Sequence, residues 1–244
     1  MDQPSDPITA AILVIGDEIL SGRTKDKNIG TIADFLTAAG IDLREVRVVP
    51  DEAAIEAVNA LRARYTYLFT TGGIGPTHDD ITADCVAEAF GVGIDIDERA
   101  RAMLLERHKP EDLNAARLRM ARIPFGADLI PNAVSKAPGF RIGNVHVMAG
   151  VPSVMQAMLD AIAPTLKGGA AMMSETIEAG GLPEGHYASD LGEIAKARPA
   201  VSIGSYPAMT PDGFRNRIVV RSRDAQALAE ARQAVEALLA KLSA

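Results

Sequence analysis

The feature that most constrains the fold is an uninterrupted apolar run, AILVI at residues 11–15, which ends abruptly at Gly16. Such a run is typical of a strand that is buried on both faces of a parallel sheet. Apolar residues then recur at helical spacing over residues 28–39, and Gly40 follows as a C-terminal cap. A buried strand, a polar loop and a helix in this order predict an α/β fold.

The same order continues along the chain. We predict strands over residues 43–49 and 66–71, and helices over residues 51–64, 81–90, 98–108, 112–122 and 152–166. Alternation of this kind implies parallel strands joined by right-handed crossovers. Residues 140–148 differ, because a Gly143-Asn144 pair between two apolar runs predicts a β-hairpin.

A second domain is predicted after the sequence KGGAA at residues 167–171, which is typical of a linker. The pattern that follows predicts strands over residues 173–179, 201–206 and 215–220, and helices over residues 183–197 and 224–242. We therefore expect a first domain over residues 8–167 and a small α+β domain over residues 172–244.

Composition narrows the class of function. With 48% hydrophobic and 23% charged residues among 244, the chain has the composition of a globular protein, and we expect it in the cytoplasm without a membrane span. A net charge of -7 makes a nucleic-acid partner unlikely for the surface as a whole, although a local basic patch stays open. Aromatic residues make up only 4%, so stacking platforms for bases would be few. One cysteine excludes an internal disulfide and a cysteine-based zinc cluster.

Two polar loops follow predicted buried strands, at the edge where open α/β sheets bind their ligands. The first loop begins at Gly16 and offers Asp17, Glu18, Ser21, Asp26 and Asn28. The second loop offers Thr70, Thr71, Gly72, Gly73, Gly75, Thr77, Asp79 and Asp80. We expect both loops to contribute to one binding site.

The chemistry of the second loop has two interpretations. Glycines let backbone N–H groups approach an anion, and the helix that follows adds more such groups, so the loop fits a phosphate. Asp79 and Asp80 would repel that phosphate unless a divalent cation such as Mg²⁺ lay between them. Alternatively, Thr77, Asp79 or Asp80 caps the next helix and the glycines form a turn. His78 fits either a metal or phosphate contact or an exposed turn.

Two further observations bear on the ligand. The glycine loop matches neither the P-loop nor the dinucleotide fingerprint, which disfavours ordinary ATPase and dehydrogenase chemistry. A third loop offers Gly150, Pro152 and Ser153 where a strand ends and a helix begins. These residues fit a second anionic group, but a helix that simply starts with proline explains them as well.

Taken in order, the motifs resemble the molybdopterin-binding domain of the MoaB/Mog proteins, gephyrin, the CinA (competence/damage-inducible) proteins and eukaryotic FAD synthases. The matching stretches are GDEILSG at residues 16–22, TTGGIGPTHDDIT at residues 70–82, and the APGF and GVPS elements. The resemblance covers residues 11–166 and is strongest to CinA-like proteins. The segment with IGSYP at residues 203–207 resembles the small KH-like domain that follows in CinA.

The resemblance implies a doubly wound, mostly parallel α/β/α sheet with an added hairpin, followed by a KH-like domain. It also implies homo-oligomers and ligands such as molybdopterin, ADP-ribose or FAD. CinA-type domains are linked to metal-dependent pyrophosphatase activity and Mog-type domains to adenylyl transfer onto molybdopterin. The residues given end before the deamidase domain of full-length CinA, so that activity is not implied. In PNAVSKAPG, Ser135 and Lys136 replace part of a usually glycine-rich stretch.

Our leading hypothesis is therefore a metal-dependent pyrophosphatase acting on an ADP-ribose- or FAD-like dinucleotide. Asp17, Asp79 and Asp80 would hold the metal and orient water. Gly72, Gly73, Gly75 and Thr77 would bind the pyrophosphate, with Glu18, Asp26 and Asn28 shaping the pocket. Adenylyl transfer to molybdopterin, or binding without catalysis, are the alternatives.

Overall fold

A computed structural model describes residues 7–211 and 213–243 of the chain. The chain divides into two compact units between Gly169 and Ala170. Among the described residues, no helix is both long and apolar enough to span a bilayer.

The first unit contains strands β1–β8 and helices α1–α7. The strands span Thr9–Ile15, Asp42–Val49, Tyr67–Thr71, Ile94–Ile96, Arg122–Pro124, Asp128–Ile130, Gly139–Ile142 and Val145–Met148. The helices span Asp17–Leu20, Asn28–Ala38, Ala54–Arg64, Thr82–Phe90, Glu98–Leu105, Ala115–Arg119 and Pro152–Ile162. Six strands form one sheet in the order β2-β1-β3-β8-β7-β6, in which β2, β1, β3 and β8 are parallel.

Helices cover this sheet on both faces, as β1 shows directly. Leu13 belongs to a core cluster with residues of α3 and α4, whereas its neighbour Ile12 belongs to a second cluster with residues of α2 and α7. Successive side chains of a strand point to opposite faces, so the two clusters lie on opposite sides of the sheet. The predicted doubly wound, mostly parallel α/β fold is confirmed, and the predicted hairpin at residues 140–148 is the antiparallel pair β7–β8.

One helix prediction is wrong. Residues 112–122 were expected to form a single helix, but α6 contains only five residues. The Asn114 side chain caps α6 by accepting from the Arg117 backbone N–H at 3.0 Å, which delays the start of the helix. At the other end, Arg122–Pro124 forms β5 and pairs antiparallel with β4. At this end, pairing with the distant strand β4 therefore outweighs the local preference of the residues for a helix.

The second unit has three long strands and two helices, as predicted for the small α+β domain. Strands β9, β10, β11, β12 and β13 span Met173–Gly180, Ser202–Tyr206, Met209–Thr210, Gly213–Phe214 and Asn216–Ser222. Helices α8 and α9 span Glu184–Lys196 and Ala225–Ser243. The antiparallel sheet has the order β10-β13-β9, and Ile177, Ile218 and Val220 pack with both helices in one core.

Candidate functional site

The candidate site lies at the carboxyl edge of β1, β3 and β8 in the first unit. These strands are parallel neighbours in the sheet, so their following loops leave it at the same edge. The Gly16 N–H donates to the carbonyl of Val49 at 3.1 Å, and the Gly72 N–H donates to the carbonyl of Met148 at 3.2 Å. The three predicted loops therefore begin side by side.

Close packing of backbone explains two of the glycines. Gly72 has φ 105°, and a Cβ atom there would lie 2.1 Å from the Ile15 carbonyl oxygen. Gly73 has φ 66°, and its Cβ would lie 2.1 Å from the Thr82 hydroxyl oxygen. Both positions lie in a region of φ that disfavours side chains, so glycine is required by the fold itself. A phosphate role for these residues is an additional proposal.

A cavity of about 220 Å³ opens between the loops. Its lining includes seven of the predicted ligand-binding residues: Glu18, Asp26, Asn28, Thr71, Gly72, Gly150 and Pro152. Apolar surface comes from Val14, Ile15 and Ile19, and cationic side chains come from Lys25 and Lys27. A concave apolar site with a few convergent polar groups is the usual form of a small-molecule pocket.

Asn28 joins the first loop to the third. Its side chain is 4% exposed, and its amide nitrogen donates to the Gly150 carbonyl at 2.8 Å. Its side-chain oxygen and the Thr71 hydroxyl are both buried without a partner among the described residues. A buried polar atom without a partner costs about 1–3 kcal/mol. A polar ligand in the cavity would supply partners for two such atoms in its lining.

Asp80 shapes its own loop. One of its carboxylate oxygens accepts from the Thr77 N–H at 2.8 Å and from the Thr77 hydroxyl at 2.5 Å, while Arg119 donates to its carbonyl at 3.1 Å. Helix α4 has no side-chain cap, so the capping alternative does not describe this loop. A Cβ on Gly75 would lie 2.6 Å from an Asp80 oxygen, which explains this third glycine.

Sequence reasoning missed Asp51, which follows β2 at the same edge of the sheet. Burial raises the pKa of its carboxyl group, and the charges of Asp17, Glu18 and Asp79 raise it further. One Asp51 oxygen would lie 3.3 Å from a Cβ on Gly73. The signal was present in the sequence: Pro50 and Asp51 end a predicted strand, and ligand sites gather at strand ends.

The predicted metal ligands are not assembled as a group. No cluster of three or more His, Cys, Asp or Glu side chains in residues 7–211 and 213–243 is arranged to hold a metal ion. Asp79 is exposed, and the Asp80 carboxylate is bound by Thr77. The negative charges of Asp17 and Asp79 instead contribute to the raised pKa of Asp51. A divalent cation at this edge stays a prediction.

Six predicted ligand-binding residues lie outside the cavity lining: Gly16, Ser21, Gly73, Gly75, Thr77 and Ser153. Ser21 is exposed, and its hydroxyl donates to the Glu18 carbonyl at 3.3 Å. Ser153 is exposed in the first turn of α7. Gly16 is buried, and a Cβ there would lie 2.6 Å from a Glu18 carboxylate oxygen, so it makes room for that side chain.

Comparison with known proteins identifies the family. Residues 11–168 match the family described as "Probable molybdopterin binding domain". The chain belongs to the molybdopterin-binding domain family. Residues 171–244 of this molybdopterin-binding domain protein match the family described as "FAD synthase, middle domain".

Relatives of this molybdopterin-binding domain protein confirm the predicted CinA-like resemblance. A CinA-like protein of Desulfosudis oleivorans is 35% identical over 211 residues, which are 80% of this chain and 51% of that protein. The crystal structure of the protein CinA with unknown function from Thermoplasma acidophilum has a TM-score of 0.62 and 35% identity, covering 66% of this chain and 99% of that one. A protein of Aeropyrum pernix is 33% identical over 243 residues, covering 93% of this chain and 91% of the relative.

The unusual PNAVSKAPG stretch of this CinA-like chain holds its shape through Asn132, which is 4% exposed. The Asn132 side chain accepts from the Ser135 N–H at 2.7 Å and donates to the Ala137 carbonyl at 2.5 Å. Lys136 adopts φ 64° and pairs with Glu106 at 2.7 Å. Ser135 and Lys136 thus bind within this loop and to α5, and neither lines the 220 Å³ cavity.

Proposed function

We propose that the first unit binds the ring of a pterin or adenine nucleotide in its cavity and hydrolyses a phosphoanhydride bond at the adjacent edge. The observation that carries this proposal is the pair of buried, unpartnered oxygens of Asn28 and Thr71 in the cavity lining. The cavity of about 220 Å³ is smaller than pockets for whole drug-sized ligands, at roughly 300–1,000 Å³. It therefore suits one ring system, with the phosphates outside it.

The phosphates would lie over the glycine loop, where the absence of side chains would let an anion approach the backbone. Lys25 and Lys27 add positive charge to the cavity lining. Asp17 and Asp79, whose charges act on Asp51, would hold a divalent cation, whose chemical contribution would be to neutralise charge on the pyrophosphate oxygens. Oxygen ligands of this kind are those that Mg²⁺ prefers. The type of donor thus fits a hard cation, although no such cluster is preassembled in residues 7–211 and 213–243.

Asp51 is the group best placed to accept a proton. Burial and like charges raise its pKa above that of an ordinary aspartate, which makes it a stronger base than its exposed neighbours. In the proposed reaction, a water oxygen bonds to one phosphorus atom and the bridging phosphoanhydride bond breaks. The water proton passes to Asp51 and then to solvent, leaving two phosphomonoesters. A dinucleotide such as ADP-ribose or FAD is the substrate class that we propose.

Binding without hydrolysis is the second candidate. It is favoured by the lack of a ready-made metal cluster among residues 7–211 and 213–243. A molybdopterin ligand would use the same cavity, with Glu18 and Asp26 as acceptors for ring N–H groups. Asp26 already accepts from the Ile29 N–H at 2.8 Å through one oxygen, which leaves its second oxygen for the ligand.

The test compares two neighbouring threonines. Thr71 lines the cavity and Thr70 does not, yet both hydroxyls are buried and unpartnered among the described residues. Thermal-shift and calorimetric titrations would use ADP-ribose, FAD, AMP and a pterin, each with and without Mg²⁺. Thr71→Val is expected to weaken binding roughly 5- to 100-fold, because the ligand loses a hydrogen bond to a buried group. Thr70→Val serves as the control and is expected to bind like the wild type.

Hydrolysis is tested separately by phosphomonoester release from the ligand that binds. Asp51→Asn is expected to retain binding and to lose turnover at least about 100-fold, in the range for loss of a general base. Binding without metal-stimulated release in the wild type would leave the second candidate. If equal affinity losses followed from both threonine changes, the cavity would not be the ligand site. Light scattering of the same sample checks the predicted homo-oligomer.

A further inference from the structure

In the described part of the second unit, helices α8 and α9 cover one face of the sheet and leave the other uncovered by this unit's own helices. Helices α8 and α9 pack against the face that carries Ile177, Ile218 and Val220. Residues that alternate with these point to the opposite side, which we call the open face. Residues paired across the antiparallel strands share a face, and the rows Tyr206–Arg217, Gly204–Val219 and Ser202–Arg221 therefore lie on it.

Positive charge dominates the open face. Arg217 and Arg221 are exposed, four residues apart on the central strand, and their side chains have no hydrogen-bond or ion-pair partner in the described part of the chain. Arg215 is also exposed and exchanges two backbone hydrogen bonds with Ala208, which places it on the same face by alternation. Strands β10 and β13 contain no acidic residue. On β9, the acidic residue Glu178 lies on this face opposite Arg217.

An aromatic ring lies beside these arginines. A Cβ on Gly204 would lie 3.0 Å from the Tyr206 Cε2 atom and 3.2 Å from its hydroxyl oxygen, so the ring lies across Gly204 on the strand. Tyr206 nevertheless stays 45% exposed. A ring held against a backbone with exposed surface is the arrangement on which nucleobases stack. In a chain with four Tyr, six Phe and no Trp, this placement beside three arginines is notable.

We propose that the open face binds single-stranded nucleic acid, with phosphates on Arg215, Arg217 and Arg221 and a base stacked on Tyr206. Charge complementarity selects an anionic partner, and the exposed ring selects one with planar groups. A second copy of the chain fits less well, because the face would juxtapose its own unpaired arginines. The inference concerns the second unit alone and does not depend on the function proposed for the first.

The proposal requires weak, salt-sensitive binding, because the chain as a whole has a net charge of -7. Three phosphate contacts on a single strand predict a slope of log affinity against log salt of about -2. Affinity should therefore fall roughly 15- to 20-fold between 50 and 200 mM salt. Sequence preference should be slight, because stacking tolerates any base.

Fluorescence anisotropy of the full chain with a labelled 12-nucleotide oligouridine tests the proposal. Arg217→Gln combined with Arg221→Gln is expected to weaken binding at least about 10-fold at 50 mM salt and to reduce the slope to about -0.7. The control is Lys196→Gln combined with Arg198→Gln, which removes the same charge at the end of α8, in the helix layer, and should bind like the wild type. Circular dichroism establishes that each variant is folded.

The ring gives an independent readout. Tyr206→Phe should retain affinity, whereas Tyr206→Ala should weaken it at least about 5-fold, as expected when one base loses its stacking partner. Equal losses in the two charge-matched double variants, or full affinity in Tyr206→Ala, would overturn the proposal. Displacement of the oligonucleotide by polyglutamate at equal charge concentration would also overturn it and would identify an acidic protein as the partner instead.

Discussion

Replacing Gly72 with alanine tests whether the glycine loop is required by the fold before any ligand binds. The added Cβ would lie 2.1 Å from the Ile15 carbonyl oxygen, at a residue whose φ is 105°. The unfavourable φ costs roughly 1–2 kcal/mol. Overpacking against main chain that cannot rotate away adds roughly 1–3 kcal/mol. We therefore expect the free energy of unfolding of the first unit to fall by about 2–5 kcal/mol.

Alanine substitutions at two other glycines provide reference values for this loss in the free energy of unfolding. Gly22 has φ 71° and no atom within 4 Å of its Cβ position, so alanine there should cost only about 1 kcal/mol. Gly30 lies inside α2 with equally open space, so alanine there should stabilise the protein by about 0.5–1 kcal/mol. Scanning calorimetry without ligand should show a Tm decrease of about 4–20 °C for Gly72→Ala. A decrease no larger than that of Gly22→Ala would refute the close approach of Gly72 to Ile15.

Three further predictions concern single side chains. His146 is 2% exposed and stacked on Phe69, and burial lowers its pKa to about 4. The free energy of unfolding should therefore fall by roughly 2 kcal/mol from pH 7 to pH 5. Urea titrations of His146→Phe should show a smaller dependence of that free energy on pH. Because the pKa of Asp51 is raised in the folded protein, its negative charge opposes folding. Asp51→Asn should therefore raise the Tm at pH 7. This increase in Tm should vanish below pH about 4, where the aspartate is protonated. Asn132→Ala should cost about 2–4 kcal/mol, because the Ala137 carbonyl loses its donor, and Asn132→Asp should recover only part of this in the same titration.

Much of the fold follows from the sequence because its signals are local. The apolar run at residues 11–15 has few alternatives to a doubly buried strand, and the Gly143-Asn144 pair fixes the hairpin. Strands β4 and β5 were missed because each has only three residues, too few to show a period of two. Their pairing is long-range, so no window of sequence contains both partners.

For the candidate site too, the sequence predicted some features and missed others. Which loops converge is set by strand order, and Asn28, Thr71 and Gly150, which were expected to share one site, line the same cavity. The direction of each carboxylate is not set by strand order. Asp80 was predicted as a metal ligand, yet its carboxylate binds Thr77 in its own loop, an orientation that depends on a single rotamer. Asp51 was overlooked because its position after Pro50 is equally typical of the start of a helix.

The position of Asp51 links the ionisation of its carboxyl group to cation binding at the site. The half-buried carboxyl group lies in the field of four other acids, and burial together with their charges raises its pKa and disfavours its ionised form. A bound divalent cation would reverse the sign of that field and favour ionisation. Cation binding and proton release from Asp51 are therefore thermodynamically linked, and each must strengthen the other by the same factor. A base whose ionisation is favoured by its cation would couple any hydrolysis at this edge to metal binding.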